Sequence, residues 1–456
     1  MRCDYYDAGA CRSCTHLGVP YAQQLAAKDA AVRALVGEHP GLVWDEPVAS
    51  RESGFRTKST MVAAGTPDAP TLGILDAAGR GVDLSACGLL GPATAVAMPR
   101  LREFVAQAGL RPYDVPARSG ELKHVHVVEA SDGGLLVRFV LRSPGQMGRL
   151  RRNLPLLREL VPGVRVVSVS LLPEHKAVTA GDEEVLLSDE GTLALPVGDV
   201  TLHVMPGAFV QTNALVAGEL YREAARWIDD VDPASVLDLY CGVGGFALHA
   251  ARSPRRPADE HRLAPAMDKG RLDRAADESR SDHPTDERRA DHAADESRVV
   301  HPAVAGSIPP QVEERRVPHG ATGARARTAG GQGSPRVVHG VEVSPEAVAS
   351  ARRSAREAGL DATFEVGNAS AYAMGLPRHE LPELLVVNPP RRGIGAPLAA
   401  WLEASPVRHV LYSSCNPASL ARDLAAMPSL RPVRARLFDM FPQTDHAEVL
   451  TLLRRG

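Results

Sequence analysis

The segment "ASVLDLYCGVGGFALHAA" (residues 234–251) decides the fold. Its apolar run from Val236 to Leu239 predicts a buried strand, its glycines at 242, 244 and 245 predict a tight turn, and the residues after them predict a helix. Further along, "RVVHGVEVSPEAVASARRSAREAGL" (336–360) repeats the order of strand, acidic tip and helix. The two segments together predict a β-α-β-α unit in a mostly parallel, doubly wound sheet.

Residues 253–335 separate these two segments and have a different composition. They are rich in Arg, Asp, Glu, Ala, His and Pro, and "AADESR" occurs at 275–280 and again at 293–298. Such a segment buries too little apolar surface to offset its chain entropy, so we predict a disordered insertion. Gly242 and Glu342 are 100 positions apart, and removing the 83 inserted residues leaves 17. That is close to the roughly 20-residue spacing between a glycine turn and a ribose-binding carboxylate.

Length and composition limit the classes of protein to which this chain can belong. A chain of 456 residues predicts two or three domains, and its net charge of -3 gives no sign of a nucleic-acid partner from the total alone. The sequence lacks an uninterrupted apolar run of membrane-spanning length and a secretory signal, which predicts a cytoplasmic protein. In that compartment its six cysteines favour metal or catalytic use over disulfides.

Two later strands predict where chemistry takes place. "LPELLVVN" ends at Asn388 before two prolines, and "VRHVLYSS" ends directly before Cys415. Ligands of open α/β sheets bind at the carboxyl ends of the strands, so Glu342, Asn388 and Cys415 are expected at one edge. The turn lacks the lysine of a phosphate loop, which favours an adenosyl cofactor without phosphate over a nucleotide. The simpler alternative is a tight turn beside a surface glutamate.

Several motifs resemble those of the RNA uracil-C5 methyltransferases, which use S-adenosylmethionine. They are "CDYYDAGACRSC" (3–14), "FVQTN" (209–213), "DLYCGVGGF" (238–246), "VVNPPRRG" (386–393), "YSSCN" (412–416) and "FDMFPQTDHAEVLTLL" (438–453). The resemblance covers nearly everything except the insertion. Within the family, the chain is most similar to the branch that modifies uracil 747 of 23S ribosomal RNA and lacks an extra N-terminal RNA-binding barrel.

The resemblance implies roles for individual residues. Cys415 would be the nucleophile that adds to carbon 6 of uracil, and Glu448 would be the general base. The residues that would contact S-adenosylmethionine are Gln211, Tyr240, Glu342 and Asn388. Tyr240 stands where Phe is common in the family, and Asn388 replaces the Asp of some relatives. Cys241, the other thiol near the turn, is interpreted as a packing residue.

Four further cysteines suggest a metal site: Cys3, Cys11, Cys14 and Cys87. From the residues alone, zinc, an iron-sulfur cluster and incidental thiols all stay open, because the spacing fits no paired zinc pattern. The family resemblance implies a [4Fe-4S] cluster with a structural role.

The predicted fold class is therefore α/β, with three domains and the insertion. Residues 206–456 form a Rossmann-like S-adenosylmethionine-dependent methyltransferase domain, residues 91–205 a β-rich α+β accessory domain, and residues 1–90 an iron-sulfur region and RNA-contacting lobe. The expected partner is 23S ribosomal RNA, with no membrane or DNA, and the expected state is a monomer. The candidate RNA contacts are Phe55, Arg56, Lys58, Arg118 and Lys123.

Three alternatives compete with this hypothesis. The first is a sister enzyme that methylates another ribosomal or transfer RNA uridine. The second is an amino-group DNA methyltransferase, in which an aromatic residue usually follows Asn-Pro-Pro; here Arg391 follows, and Cys415 would have no use. The third is a non-catalytic metal-cluster RNA-binding protein, against which the presence of both Cys415 and Glu448 argues.

Overall fold

The computed structural model describes residues 1–252 and 336–456, so the predicted insertion at 253–335 lies outside the described residues. The chain begins with a short helix, a longer helix packed on the C-terminal half, and a two-residue strand. These elements are α1 (Asp4–Asp7), α2 (Tyr21–Val36) and β1 (Val43–Trp44). No described helix has the length and apolar character that crossing a membrane requires.

A mixed sheet with helices on one face follows. Its elements are β2 (Lys58–Gly65), β3 (Pro70–Leu75), β4 (Gly81–Asp83), α3 (Pro92–Gln107), β5 (Leu122–Glu129), β6 (Leu135–Leu141), α4 (Met147–Arg152), α5 (Leu154–Leu160), β7 (Val164–Leu171) and β8 (Glu183–Leu186). The strand order is β4-β3-β2-β5-β6-β7-β8, antiparallel except for the parallel pair β6–β7. The predicted β-rich character of this part of the chain agrees with these strands.

Alternation along the strands gives this sheet two different faces. Phe139 of β6 packs with Phe104 of α3 in a fully buried apolar cluster, with ring centroids 5.8 Å apart. The opposite face carries polar residues, among them His126 and Arg138, which are paired across β5 and β6. A hairpin and a helix then lead to the next sheet: β9 (Leu193–Val197), β10 (Val200–Val204) and α6 (Ala214–Val231).

The remaining elements build an eight-stranded sheet with the predicted alternation. They are β11 (Ser235–Leu239), α7 (Gly245–Arg252), β12 (Val337–Glu342), α8 (Pro345–Ala358), β13 (Ala362–Val366), α9 (Ala369–Gly375), β14 (Leu384–Val387), α10 (Ala396–Ala404), β15 (His409–Ser414), α11 (Pro417–Ala425), β16 (Leu430–Phe438) and β17 (Glu448–Arg455). The strand order is β1-β16-β17-β15-β14-β11-β12-β13. The predicted β-α-β-α unit is confirmed as β11-α7-β12-α8.

The central strand β14 is buried on both faces, which explains why it reads as a continuous apolar run. Leu384 and Val386 of β14 belong to a core on the side of α6, α7 and α8, whereas Leu385 and Val387 belong to a core on the side of α9, α10 and α11. Strands β13, β12, β11, β14 and β15 are mutually parallel, and β17 is antiparallel to β15 and β16. The carboxyl ends of the parallel strands therefore meet at the edge where β17 begins.

Candidate active site

The glycine turn after β11 lies against the end of β12. Gly242 adopts a left-handed backbone (φ +54) that glycine accommodates without strain, and its N–H donates to Glu342 Oε2 at 3.2 Å. The other oxygen of Glu342 accepts from the N–H of Ser344 at 3.0 Å. The structure thus joins the turn and the carboxylate that the sequence placed 100 positions apart. The half-buried carboxylate of Glu342 suits the hydroxyls of a ribose.

Tyr240 directly precedes this turn and has an uncommon backbone for a residue with a side chain. Its φ is +60, and its hydroxyl lies 2.9 Å from Ser370 Oγ of α9. Such strained residues are enriched at functional sites. Asn388 lies beside it, because its N–H donates to the carbonyl of Leu239 at the end of β11, at 3.3 Å. Both predicted cofactor residues therefore lie at the edge that carries Glu342.

Gln211 reaches the same turn from the segment before α6. It lines a narrow crevice together with Val243 of the glycine turn and Tyr221 of α6. The neighbouring Phe209 is 60% exposed, and the Lys58 ammonium lies 5.1 Å from the centre of its ring. The segment that carries Gln211 therefore presents an aromatic surface to solvent.

Cys415 and Glu448 occupy facing positions at the ends of two antiparallel strands. The last pair in the β15–β17 register is Ser414 with Val449; Cys415 directly follows β15, and Glu448 is the first residue of β17. Glu448 is one of the charges that act on the ionisation of the Cys415 thiol, so the two side chains are neighbours. The predicted nucleophile and the predicted base are thus brought together, although 33 positions separate them in the sequence.

The Cys415 thiol has opposing electrostatic influences. Burial and the nearby Glu448 raise its pKa, whereas the positive charge of the nearby Arg391 guanidinium acts to lower the pKa. Arg391 is itself held in place: one of its terminal nitrogens lies 3.0 Å from His446 Nδ1, and its carbonyl accepts from the Asn416 amide at 2.9 Å. Because an arginine only donates, His446 Nδ1 must be the unprotonated ring nitrogen in this contact.

Glu448 is almost completely buried, with 1% of its surface exposed. Burial raises its pKa from 4.5 to about 7, and a hydrogen bond from Ser413 Oγ to Glu448 Oε1, 2.5 Å long, opposes this rise. A carboxyl group with a pKa near neutrality can take a proton and return it under ordinary conditions. The environment of Glu448 therefore suits a general base.

Sequence reasoning did not identify three polar residues here: Ser413, His446 and Asp238. Asp238 is fully buried in β11, and burial raises its pKa to about 8. Its Oδ2 accepts from the N–H of Ala247, whereas Oδ1 has no hydrogen-bond partner within the described ranges. The alternation of side chains along β15 does put Ser413 on the face of Cys415, but identifying its partner requires the register with β17.

The four N-terminal cysteines lie near one another. Cys14, Cys3 and Cys87 contact the same small apolar cluster, and burial raises the pKa of Cys14 to about 11, with the neighbouring thiols of Cys87, Cys11 and Cys3 acting in the same direction. Four neighbouring thiols are the donor set of a zinc or iron-sulfur site. In residues 1–252 and 336–456, however, no three Cys, His, Asp or Glu side chains have the arrangement of a bound metal, so the predicted cluster is not confirmed.

Two of the five candidate RNA contacts are poorly placed for that role. Phe55 is 2% exposed and packs with Cys14, so its ring is not available for stacking on a base. Lys123 is buried and donates to the carbonyl of Glu174 at 2.6 Å. Lys58 is half-buried, and burial together with Arg138 lowers its pKa to about 8. Arg56 is also half-buried, and Arg118 is exposed.

Comparisons with known proteins agree with this geometry. The model of a family described as tRNA (uracil-5-)-methyltransferase matches residues 373–456. The 23S rRNA (uracil(747)-C(5))-methyltransferases RlmC of Shigella boydii serotype 4 and Escherichia coli O9:H4 are each 36% identical to this chain over 455 residues, which is 99% of both chains compared.

A solved structure also has this fold. The tRNA (uracil-54, C5)-methyltransferase of Pyrococcus abyssi, solved with S-adenosyl-L-homocysteine, aligns with a TM-score of 0.66 and 20% identity over 97% of this chain and 84% of that chain. This likeness establishes the α/β, Rossmann-like methyltransferase fold. The 36% identity to the bacterial enzymes over 99% of the chain shows that this protein belongs to the RNA (uracil-C5)-methyltransferase family.

Proposed function

We propose that this protein transfers a methyl group from S-adenosylmethionine to carbon 5 of a uridine in 23S ribosomal RNA, at the position that corresponds to uracil 747. The full-length likeness to bacterial enzymes named for that reaction supports the choice of substrate. The observation that carries the chemistry is the facing pair of Cys415 and Glu448, at the edge where Glu342 contacts the glycine turn.

The reaction begins with the thiol. Carbon 5 of uracil is too weak a nucleophile to accept a methyl group, so the Cys415 thiolate adds to carbon 6 and makes the ring an enolate. Arg391 supports the thiolate because its nearby positive charge lowers the pKa of Cys415 against the effect of burial. S-adenosylmethionine supplies an electrophilic methyl group to carbon 5 of this enolate.

Glu448 completes the reaction. After methylation, carbon 5 carries both the methyl group and its original proton, and Glu448 removes the proton so that the bond between carbon 6 and the sulfur breaks. A carboxyl group whose pKa is raised to about 7 is basic enough for this step yet ionised in much of the protein at neutral pH.

The cofactor would be held by Gln211, Tyr240, Glu342 and Asn388. The carboxylate of Glu342 is placed for the ribose hydroxyls, and the strained Tyr240 offers an aromatic surface beside it. The target base must leave its stack to reach Cys415. The exposed Phe209 ring next to the cofactor segment could stack on the unpaired RNA, and Lys58, Arg56 and Arg118 could contact its phosphates.

We also propose that Cys3, Cys11, Cys14 and Cys87 hold a [4Fe-4S] cluster. Their proximity and the family resemblance support this assignment, and the role is structural because the methyl transfer needs no electron. We further propose domain boundaries at 1–90, 91–205 and 206–456, a monomeric state, a cytoplasmic location, and no membrane or DNA partner.

A methylation assay on defined RNA tests the function. The protein is incubated with labelled S-adenosylmethionine and unmodified 23S rRNA, and the modified nucleotide is mapped by mass spectrometry. We expect one 5-methyluridine at the position of uracil 747 and no incorporation when that uridine is replaced by cytidine. Methylation at a different uridine would overturn the choice of target, and RNA binding without methylation would favour a non-catalytic RNA-binding protein.

A further inference from the structure

The hydroxyl of Ser413 donates a hydrogen bond to the carboxylate of Glu448 inside the core of the site. Ser413 is completely buried in β15, and the Oγ–Oε1 distance is 2.5 Å. We propose that Ser413 is a positioning residue that holds Glu448 ionised and aimed at the proton on carbon 5 of the substrate. This inference rests on the proposed function, because it gives the Ser413–Glu448 contact a role in the step assigned to Glu448.

The strand register explains why the contact forms. Ser413 pairs with Leu450 across β15 and β17, so Ser413 and Cys415 on one strand share a face with Leu450 and Glu448 on the other. Ser413 and Glu448 are therefore diagonal neighbours, which lie within reach of one another in an antiparallel pair. The backbone of two core strands, rather than a loop, fixes the carboxylate relative to the thiol.

The hydrogen bond between Ser413 and Glu448 also gives the two carboxylate oxygens of Glu448 different roles. A carboxylate only accepts, so the Ser413 hydroxyl must be the donor, and Oε1 is engaged by it. Among the described residues, no hydrogen bond is recorded to the second oxygen, Oε2. This arrangement leaves Oε2 as the atom that takes the proton from carbon 5. The electron pair of the broken C–H bond then forms the double bond between carbons 5 and 6, and the pair of the carbon–sulfur bond returns to Cys415.

The Ser413 hydroxyl directly stabilises the negative charge of Glu448. Within residues 1–252 and 336–456, the titratable groups on which Glu448 acts are Cys415, directly after β15, and Tyr221 on α6, and neither is positively charged. Phe438, its pairing partner on β16, is uncharged. The Arg391 guanidinium contacts His446 Nδ1 and acts on the Cys415 thiol. Burial disfavours the charged form of the Glu448 carboxylate, and the hydrogen bond from the Ser413 hydroxyl offsets part of that cost. Without the hydroxyl, the protonated form of Glu448 is therefore favoured.

The test separates methyl transfer from proton removal. RNA that carries tritium at carbon 5 of the target uridine is mixed with enzyme and S-adenosylmethionine in a single turnover, and methyl incorporation and tritium release are followed from pH 5.5 to 9. In Ser413→Ala, we expect methyl incorporation at the wild-type rate but a tritium-release profile shifted upward by about one pH unit. At pH 7 the release should slow about fivefold, and the methylated covalent adduct should accumulate.

Two further variants make the result specific. Ser413→Thr restores a hydroxyl and should return the profile toward wild type. Thr451→Val is the matched control, because Thr451 is a buried hydroxyl on the same strand pair whose Oγ1 has no hydrogen-bond partner among the described residues. It should leave the profile unchanged. Binding of S-adenosylhomocysteine at wild-type affinity checks that each variant is folded.

The outcomes distinguish this inference from the proposed function. An unshifted release profile in Ser413→Ala, with normal adduct formation, would overturn the role of Ser413 and leave the function intact. A parallel loss of methyl incorporation and tritium release with an unchanged pH profile would also overturn it, since that indicates a merely structural role. Absence of any adduct or methylation in the wild-type protein would instead overturn the proposed function.

Discussion

Cys415 and Glu448 lie opposite each other, one residue beyond the last paired positions of the antiparallel strands β15 and β17. Both side chains are therefore positioned by buried backbone on the same side of the sheet, and β14 ends beside them with Asn388. The distance between the proposed nucleophile and the proposed base thus depends on the register of two core strands. Loops contribute Arg391, which acts on the thiol from outside this pair, and His446, whose Nδ1 lies 3.0 Å from an Arg391 nitrogen.

Arg391 should control the reactivity of the thiol. Replacing it by Gln removes the positive charge that lowers the pKa of Cys415, so the thiolate fraction at pH 8 should fall and alkylation should slow about tenfold for each unit of pKa rise. Iodoacetamide labelling with site-resolved mass spectrometry measures the rate at Cys415 separately from the other thiols. Arg392→Gln, at the neighbouring exposed arginine, is the control and should label normally. Equal rates in both variants would contradict the assigned role of Arg391.

Glu342 should determine cofactor affinity. The two carboxylate oxygens of Glu342 accept from the N–H groups of Gly242 and Ser344, and Glu342→Gln replaces one of these oxygens by an amide donor. Calorimetry should show S-adenosylhomocysteine binding weakened about tenfold or more, as expected for loss of a hydrogen bond to a charged group. Glu365→Gln on the neighbouring strand β13 is the matched control, since Glu365 pairs with Val341 and its side chain is exposed. Unchanged binding in Glu342→Gln would remove Glu342 from the cofactor site.

Lys28 and Asp439 form a buried ion pair that joins α2 to the segment leading to Glu448. The Nζ–Oδ1 distance is 2.7 Å, and the two side chains are 6% and 0% exposed. Lys28→Met leaves a buried carboxylate without its cation and should cost roughly 3–5 kcal/mol of unfolding free energy. Arg165→Met breaks the exposed pair with Asp132 and should cost about 1 kcal/mol or less. Urea unfolding compares the two, and equal small losses would contradict the importance of the buried pair.

The N-terminal cysteines should be needed for iron. Protein purified without oxygen should contain four iron and four sulfide per chain if the proposed cluster forms. Cys14→Ser should lose most of both, whereas Cys415→Ser should retain them because Cys415 lies directly after β15, away from the four N-terminal thiols. Metal and sulfide analysis with visible absorption checks this. Stoichiometric zinc in place of iron, or metal-free protein that folds normally, would contradict the assignment.

The strands of the eight-stranded sheet were predictable from the sequence because their apolar stretches end at Gly, Pro or polar residues. Glu342 is the last residue of β12, whereas Asn388 and Cys415 directly follow β14 and β15. The parallel order of these strands then brings the three residues to one edge. The proximity of Cys415 and Glu448 was not predictable in this way. It depends on the antiparallel position of β17 between β15 and β16, which the local sequence does not encode.

Contacts between distant parts of the chain were also beyond local patterns. Strand β1 joins the sheet by parallel pairing with β16, and Arg434 on β16 bonds Asp45 directly after β1 at 2.6 Å. Phe55 was wrong as an RNA-stacking candidate for the same reason. An aromatic residue beside Gly54 and Arg56 looks exposed locally, and only the packing of Cys14 and Leu89 on it reveals that it belongs to a core.

The central claim is the transient bond between the Cys415 sulfur and carbon 6 of the target uracil. The most direct measurement uses 23S rRNA with 5-fluorouridine at the target position, because fluorine cannot be removed as a proton and the adduct cannot break down. Denaturing gel electrophoresis with the wild-type protein and S-adenosylmethionine should reveal a stable protein–RNA complex whose cross-linked peptide contains Cys415. Cys415→Ala should give none. Failure of a catalytically active wild-type protein to form this complex, or a cross-link at another residue, would contradict the account.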